Sequence, residues 1–347
     1  MINLVFLGKK GAGVDFLEGF QQEILLKDDS ENFKFIVSSA SEFPDKYLGI
    51  EMLRVDALHN PRDIIKIWKC IKSIREIRFK LHKNGTEIIN IFIMPAFTDW
   101  FFLQFIKNIT CKNLFIIHDA VRHPGDPWPS KAAIRWRIKK GDVIVTLSDF
   151  VKKRLKDIYH FNNVHVLQHP VFNSNNSIRP KELPYSEEKL ILFVGRILDY
   201  KGLEFLYEAT RNLESEYKLV VAGEGNLQFN MRENVILINR WLTSDEIRYL
   251  IEVSEVVVFP YIEASQSGLI PLARFLGKTI LATNVGGLLE QLQGYEKTVT
   301  CNPGNTLELE RAIRVAINIG NGSIPKRTTT SYNSFYREMI ELAMVKE

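Results

Sequence analysis

A chain of 347 residues is long enough for two domains of ordinary size, and 46% hydrophobic with 25% charged residues is the composition of a soluble globular protein. A formal charge of +4 is too small to argue for nucleic acid, and the scattered Cys70, Cys111 and Cys301 argue against a disulfide framework or a cysteine zinc site. No apolar run reaches the length of a bilayer span, and MINLVFLGKKGAG lacks the pattern of a cleaved leader, so the expectation is a cytoplasmic protein.

Met1 to Gly8 reads as a strand, KKGAG as a glycine turn and Val14 to Leu26 as an amphipathic helix, the opening unit of a doubly wound α/β domain. The full dinucleotide fingerprint is absent, but Gly8, Gly11 and Gly13 allow close backbone approach, either by a ligand or only by the turn itself. FKFIVSSA follows as a second strand. The stretch from Arg62 to Lys83 predicts a helix with Ile64, Trp68, Ile71 and Ile74 on its apolar face. Lys66, Lys69, Lys72, Arg75, Arg78, Lys80 and Lys83 crowd its remaining arc, against only Asp63 and Glu76. Such a helix is either a solvated outer face or a surface for anionic lipid, at about 1 kcal/mol per cation near a membrane.

EIINIFIMP, from Glu87 to Pro95, reads as a buried strand, and TDWFFLQFIKNI as a helix packed on it or partly exposed. In NLFIIHDAVRHPGDPWPS the strand ends at Ile117, which puts His118 and Asp119 at its carboxyl end, where α/β domains bind ligands. His123 and Asp126 follow in the same loop. DVIVTLSD, the KKRLKDIYH helix and the closing strand VHVLQHPV complete the first domain. The Asn-, Ser- and Pro-rich stretch up to Lys189 reads as a linker. The boundaries are then 1–172 for the first domain, 173–189 for the linker, 190–330 for the second domain and 331–347 for a terminal crossover helix.

The second domain alternates strands with helices: LILFVGR, YKLVVAGEG, NVILINRW, EVVVFPY, KTILATN and KTVTCNP are the pattern of another parallel sheet. Two of its segments carry the chemistry. In LILFVGRILDYKGLEFLYEA, a strand-to-helix turn presents Gly195, Arg196 and Lys201, two cations able to neutralise one anion. In VVVFPYIEASQSGLIPLARFLGK, a strand feeds a polar loop and a helix with Pro271 in its first turn, so backbone N–H groups and a positive dipole end are on offer to a phosphate. An ordinary crossover with Gly268 serving only the turn explains the second segment alone equally well.

Together, F-V-G-R-x-x-x-x-K-G from Phe193, V-A-G-E-G from Val221, P-Y-x-E-A-S-Q-S-G from Pro260 and A-T-N-V-G-G-x-x-E from Ala282 resemble the retaining glycosyltransferases of family 4, most strongly in the C-terminal half. The resemblance implies the GT-B fold, two Rossmann-like doubly wound parallel-sheet domains facing a cleft, with a C-terminal helix crossing back to the first. It also implies a nucleotide-diphosphate sugar, UDP- or GDP-linked, as donor, with Gly11, Gly13, Gly195, Arg196, Lys201, Gly223, Glu263, Ser267, Gly268, Leu269 and Ile270 around it. The implied catalytic set is His118, Glu263, Arg196 and Lys201, with His123 and Asp126 toward the acceptor. No metal or other cofactor is implied, and the sequence shows no Asp-x-Asp pair to hold one.

One departure stands out. The family commonly has a second glutamate for the ribose hydroxyls, and the A-R-F-L-G-K-T-I-L-A-T register puts Leu272 there, nine rather than eight positions after Glu263. Leucine accepts no hydrogen bond, so Leu272→Glu is expected to tighten nucleotide binding. The expected function is hexose transfer to a hydroxyl of a glycan or lipid-linked acceptor in bacterial surface polysaccharide assembly, with Lys66 to Lys83 against an anionic inner leaflet and no nucleic acid as partner. The alternatives are a catalytically degraded scaffold that partners an active transferase and a nucleotide-sugar 2-epimerase.

Overall fold

The computed structural model describes every residue except 44–48, 60, 83–86, 107–110, 125–128, 173–175, 186–187, 228–229, 231, 321–333 and 346–347. The chain splits into two compact units, one of Met1–Val121, Pro129–Gln168 and Asn333–Glu347, the other of Arg122–Trp128 and His169–Tyr332.

The first unit is built on β1 (Ile2–Phe6), β2 (Phe33–Ser38), β3 (Glu51–Val55), β4 (Ile88–Phe92), β5 (Cys111–Ile117), β6 (Val143–Thr146) and β7 (His165–Val166). Its sheet order is β3-β2-β1-β4-β5-β6-β7, with every pairing parallel. INLVF and FKFIVS are buried along their whole length, as strands covered on both faces must be. Asn3, Asn90 and Asn113 stand in register across β1, β4 and β5 and bond side chain to side chain at 2.9 and 3.0 Å. These two bonds form only in this register, because a one-residue slip would turn each amide to the opposite face; the Asn3 Oδ1 is left buried without a protein partner. The edge strand β3 was not anticipated; its Glu51 pairs with Lys34 of β2.

Around this sheet lie α1 (Ala12–Leu26), α2 (Ile67–His82), α3 (Asp99–Ile106), α4 (Lys131–Lys140) and α5 (Asp149–Tyr159). The basic helix differs from expectation in the face it buries. Cys70, Ile74, Ile77 and Leu81 form the inward stripe, while Trp68 is 75% exposed, beside Ile65 and Phe79. The side chain of Ile64, and all of Lys83, lie outside the described residues. A period of 3.6 can be drawn through either set, and packing against α3, which a local pattern does not contain, decides between them.

The second unit has β8 (Lys189–Val194), β9 (Tyr217–Ala222), β10 (Val235–Ile238), β11 (Val256–Phe259), β12 (Thr279–Thr283) and β13 (Thr298–Cys301), all parallel, in the order β10-β9-β8-β11-β12-β13. The helices are α6 (Leu203–Ala209), α7 (Ser244–Val253), α8 (Leu269–Phe275), α9 (Leu288–Leu292) and α10 (Thr306–Gly320). The stretch read as a linker is docked on this unit where it is described. Leu183 enters the core, the Ile178 N–H donates to the Asp245 carbonyl at 3.2 Å, and Glu182 takes both Nε and Nη2 of Arg240 at 2.8 and 2.9 Å.

The last helix, α11 (Ser334–Met344), belongs to the first unit. Phe335 and Tyr336 pack on Phe16 and Phe20 of α1, with ring centres 5.5 and 4.8 Å apart for Phe16–Phe335 and Phe20–Tyr336. A Cβ at Gly19 would lie 2.0 Å from the Tyr336 ring, so this glycine is what lets the helices approach.

Candidate functional site

In an open doubly wound sheet, ligands bind beyond the strands' carboxyl ends where the strand order reverses. In the second unit that point lies between β8 and β11, and the two segments singled out from the sequence follow those two strands. The turn after β8 carries Gly195 and the exposed Arg196, then a single turn of 3₁₀ helix, Asp199–Lys201, that brings Lys201 back to the same edge.

This turn is held from beneath by its neighbour. The Gly195 and Ile197 N–H groups donate to the carbonyls of Ala222 and Glu224, each at 2.9 Å. Gly223, with φ 147°, has no room for a side chain, since a Cβ would meet the Gly195 carbonyl oxygen at 1.9 Å. Gly223 therefore has a packing reason of its own: it seats the turn that bears Arg196.

The turn also touches the loop after β11. A Cβ on Gly202 would fall 2.0 Å from the Pro260 carbonyl, and the Tyr200 carbonyl accepts the Ile262 N–H at 2.8 Å. The Lys201 ammonium lies 3.7 Å from the centre of the Tyr261 ring and 5.1 Å from that of Tyr200. Within the loop, Ser267 is buried, and Gln291 of α9 reads its backbone at two points: Oε1 accepts the Ser267 N–H at 2.8 Å and Nε2 donates to its carbonyl at 2.9 Å. Nothing in the local sequence flags Gln291, because its partner lies 24 residues earlier. Gly268 and Leu269 open α8, with the His169 ring 3.4 Å from where a Gly268 Cβ would stand. Ile270 is fully buried in the second unit's core.

Leu272 is a core residue, 2% exposed, in the second unit's hydrophobic cluster. The expectation that a glutamate here would meet a ribose is thus corrected: the side chain points into the core. Glu263 is 42% exposed and is engaged by His123, whose Nδ1 lies 3.2 Å from Oε1. His123 was expected on the acceptor side; the structure groups it with the second unit, stacked on Tyr200 at 4.8 Å. Asp126 lies outside the described residues.

His118, Gly11 and Gly13 belong to the first unit. His118 follows β5 directly, is 7% exposed, and its Nε2 lies 2.9 Å from the Ile93 carbonyl, to which it donates. Phe16 of α1 meets it edge-on at 5.4 Å, which brings α1's first turns beside it. Burial pushes this imidazole below the ordinary histidine value, partly opposed by the Ile93 carbonyl and Asp119. Gly11, with φ 90°, caps α1, and a Cβ on Gly13 would strike the Phe6 ring at 2.1 Å. Gly13 thus has a packing explanation that requires no ligand.

Residues 188–318 match the family described as "Glycosyl transferases group 1". An uncharacterized glycosyltransferase of Methanocaldococcus jannaschii is 30% identical over 131 residues, 34% of this chain and 33% of the relative, so the match spans about a third of that protein. Sucrose-phosphate synthase of Thermosynechococcus elongatus superposes with a TM-score of 0.73 over 98% of this chain and 97% of its own, at 14% identity. HepE of Anabaena, solved with UDP and glucose, gives 0.68 over 99% and 95%, at 12% identity. At such identities the likeness is one of fold. The fold is GT-B, two Rossmann-like parallel-sheet units.

Proposed function

We propose that this GT-B chain, whose residues 188–318 match the group 1 glycosyltransferases, moves a hexose from a UDP- or GDP-sugar to a hydroxyl, with retention at the anomeric carbon. The observation that carries the reading is the convergence of Arg196, Lys201 and the Glu263–Gly268 loop on the two strands flanking the order reversal of the second sheet. HepE, of the same fold, was solved with UDP and glucose, which supports a nucleotide-sugar donor.

The barrier to such a transfer is departure of a nucleoside diphosphate as positive charge develops at the anomeric carbon, so stabilising the leaving phosphates is the main task. Arg196 and Lys201 would supply two positive charges, and the N–H groups around Gly268 and Leu269 further donors, without a metal. Glu263 would face the donor sugar, and His118, on the first unit, would contribute a hydrogen bond to the transfer. Gly11 and Gly195 would allow close backbone approach, and the acceptor would meet the first unit.

The acceptor is taken to be a glycan or lipid-linked sugar of a bacterial surface polysaccharide, made on the inner face of the plasma membrane. Support comes from α2 and the 3₁₀ turn before it (Pro61–Lys66), where exposed Ile65, Trp68 and Phe79 are interspersed with Lys66, Lys69, Lys72, Arg75, Arg78 and Lys80, the mixture that suits an anionic interface. No helix among the described residues is long and apolar enough to cross a membrane. The second reading is a scaffold that has lost turnover and serves an active partner; the core position of Leu272 removes the lost-ribose-contact argument for it. Labelled UDP- and GDP-sugars incubated with bacterial membrane extracts, with and without the protein, test the proposal. Transfer of label into the lipid or glycan fraction that depends on the protein is expected; none from any donor would overturn it in favour of the scaffold.

A further inference from the structure

We infer that His123 is a positioning residue of the donor site: it sets the carboxylate of Glu263 and ties together the two loops that converge on the proposed diphosphate. This rests on the donor reading above.

Its chain segment comes from the stretch after β5, yet Arg122–Trp128 groups with the second unit. The imidazole is 8% exposed and reaches both loops. Its face stacks on Tyr200 of the turn after β8, with centres 4.8 Å apart and planes 15° from parallel, one residue before Lys201. Its two nitrogens address the loop after β11. Nδ1 lies 3.2 Å from Glu263 Oε1, and Nε2 lies 3.4 Å from the Ser265 hydroxyl, 142 positions along the chain. A carboxylate can only accept, so Nδ1 carries the proton; Nε2 of the neutral ring then accepts from Ser265. One ring therefore fixes the tautomer, the loop and the carboxylate together.

The consequence is specific. Glu263 is nearly half exposed, and a carboxylate so exposed would sample several rotamers without a partner. Holding it in one of them matters only for what it contacts, the sugar of the donor, and not for the diphosphate, which Arg196 and Lys201 would grip. His123 should act on recognition of the sugar and leave recognition of the nucleoside diphosphate nearly unchanged. Ordinary core packing would affect both, or neither.

The test is calorimetric, with UDP and GDP, UDP-glucose and GDP-mannose as probes, on the parent, His123→Phe, His123→Asn, Glu263→Gln and the Phe/Gln double variant. Phenylalanine keeps the ring on Tyr200 and removes both hydrogen bonds; asparagine keeps a donor near the Nδ1 position and removes the ring. The melting temperature of His123→Phe is expected to match the parent, its affinity for the bare diphosphate to hold within about twofold, and its affinity for the corresponding sugar nucleotide to fall about tenfold. Glu263→Gln should show the same loss, the double variant no more than either single, and His123→Asn a partial recovery. Additive losses in the double variant, or equal weakening of diphosphate and sugar nucleotide, would overturn the assignment while leaving the donor site standing. A parent that binds none of the four probes would overturn the donor reading and this inference with it.

Discussion

The ammonium of Lys201 stands 3.7 Å from the centre of the Tyr261 ring, so a cation that follows one strand rests on an aromatic face that follows another. Such contacts contribute about 0.5–1 kcal/mol at exposed sites and more where water is excluded. The lysine is therefore already held near its place of action, at the reversal of strand order, and need not be drawn there by its ligand.

Removing either cation should act on the reaction and not on the fold. Arg196→Ala and Lys201→Ala are each expected to cost about 2–4 kcal/mol in transition-state stabilisation, roughly 30-fold to 1000-fold in kcat/KM. Arg196 is exposed, and its loss should leave the thermal midpoint within the scatter of surface changes. Lys201→Ala forfeits the contact with Tyr261 and should melt slightly lower. Steady-state kinetics with the active donor decide the matter, and parent-like constants in both variants would remove the pair from the site.

Leu272→Glu should destabilise the second unit and should not improve nucleotide binding. The side chain is buried in the second unit's hydrophobic cluster, so the substitution buries an unpaired carboxylate at about 3–5 kcal/mol, or forces α8 to shift. Thermal melts and UDP titrations on one preparation check this. A stable variant that binds UDP more tightly would show that the helix can turn this position outward.

Acid sensitivity should begin above the carboxylate range. His118 and His59 are both held below the ordinary value of 6.5, chiefly by burial, with Lys9 adding to the effect at His59. The unfolded chain thus takes up protons that the folded one refuses, and stability should fall as pH drops through about 6.5, by at most about 1.4 kcal/mol per pH unit for each group. Glu182 and Glu246, lowered by their hydrogen bonds to Arg240, add their own loss only below the ordinary carboxylate value of 4.5. Urea unfolding at pH 7.5 and 5.5 should show a smaller pH dependence for His118→Gln than for the parent; equal dependence would exclude His118 as a source.

The second sheet is legible because most of its strands are short apolar runs, and the proposed donor residues lie in the loops that follow β8 and β11. Arg196, Lys201 and Glu263 needed no knowledge of distant contacts. The errors have one physical cause. Trp68 was assigned inward and Cys70 passed over because helical spacing fits both, and only the neighbouring helix separates them. Leu272 was counted from motifs on either side of it, and counting carries no information on which way a helix faces. The contacts of Gln291 and His123 are not legible locally, because their partners are 24 and 140 residues away. The edge strand β3 is hard to read locally because EMLRV carries charge at two of five positions and only two of its residues are buried.

Binding of the first unit to lipid should depend on charge and on aromatic insertion together. Vesicles with anionic headgroups are expected to bind the protein, more weakly as ionic strength rises, because screening acts over about 10 Å at 0.1 M salt. Reversing Lys69, Lys72 and Arg75 to Glu should abolish binding, and Trp68→Ala should weaken it at all salt concentrations, since Trp68 stands outward and carries no charge. Equal binding to neutral and anionic vesicles, or no effect of the triple reversal, would make α2 an ordinary solvated face.

The packing of α11 against α1 has a consequence for the order of assembly. Phe16 and Phe20 emerge from the ribosome early, but Phe335 and Tyr336, which cover them, emerge more than three hundred residues later. Units of this kind usually close one after another as they are synthesised, the N-terminal one first. Here that sequence is inverted at its last step: the second unit has all its strands before the first can cover its opening helix. A nascent chain paused before Ser334 should therefore hold a finished second unit beside a first whose aromatic face is bare, and that face is where a holding chaperone would find it.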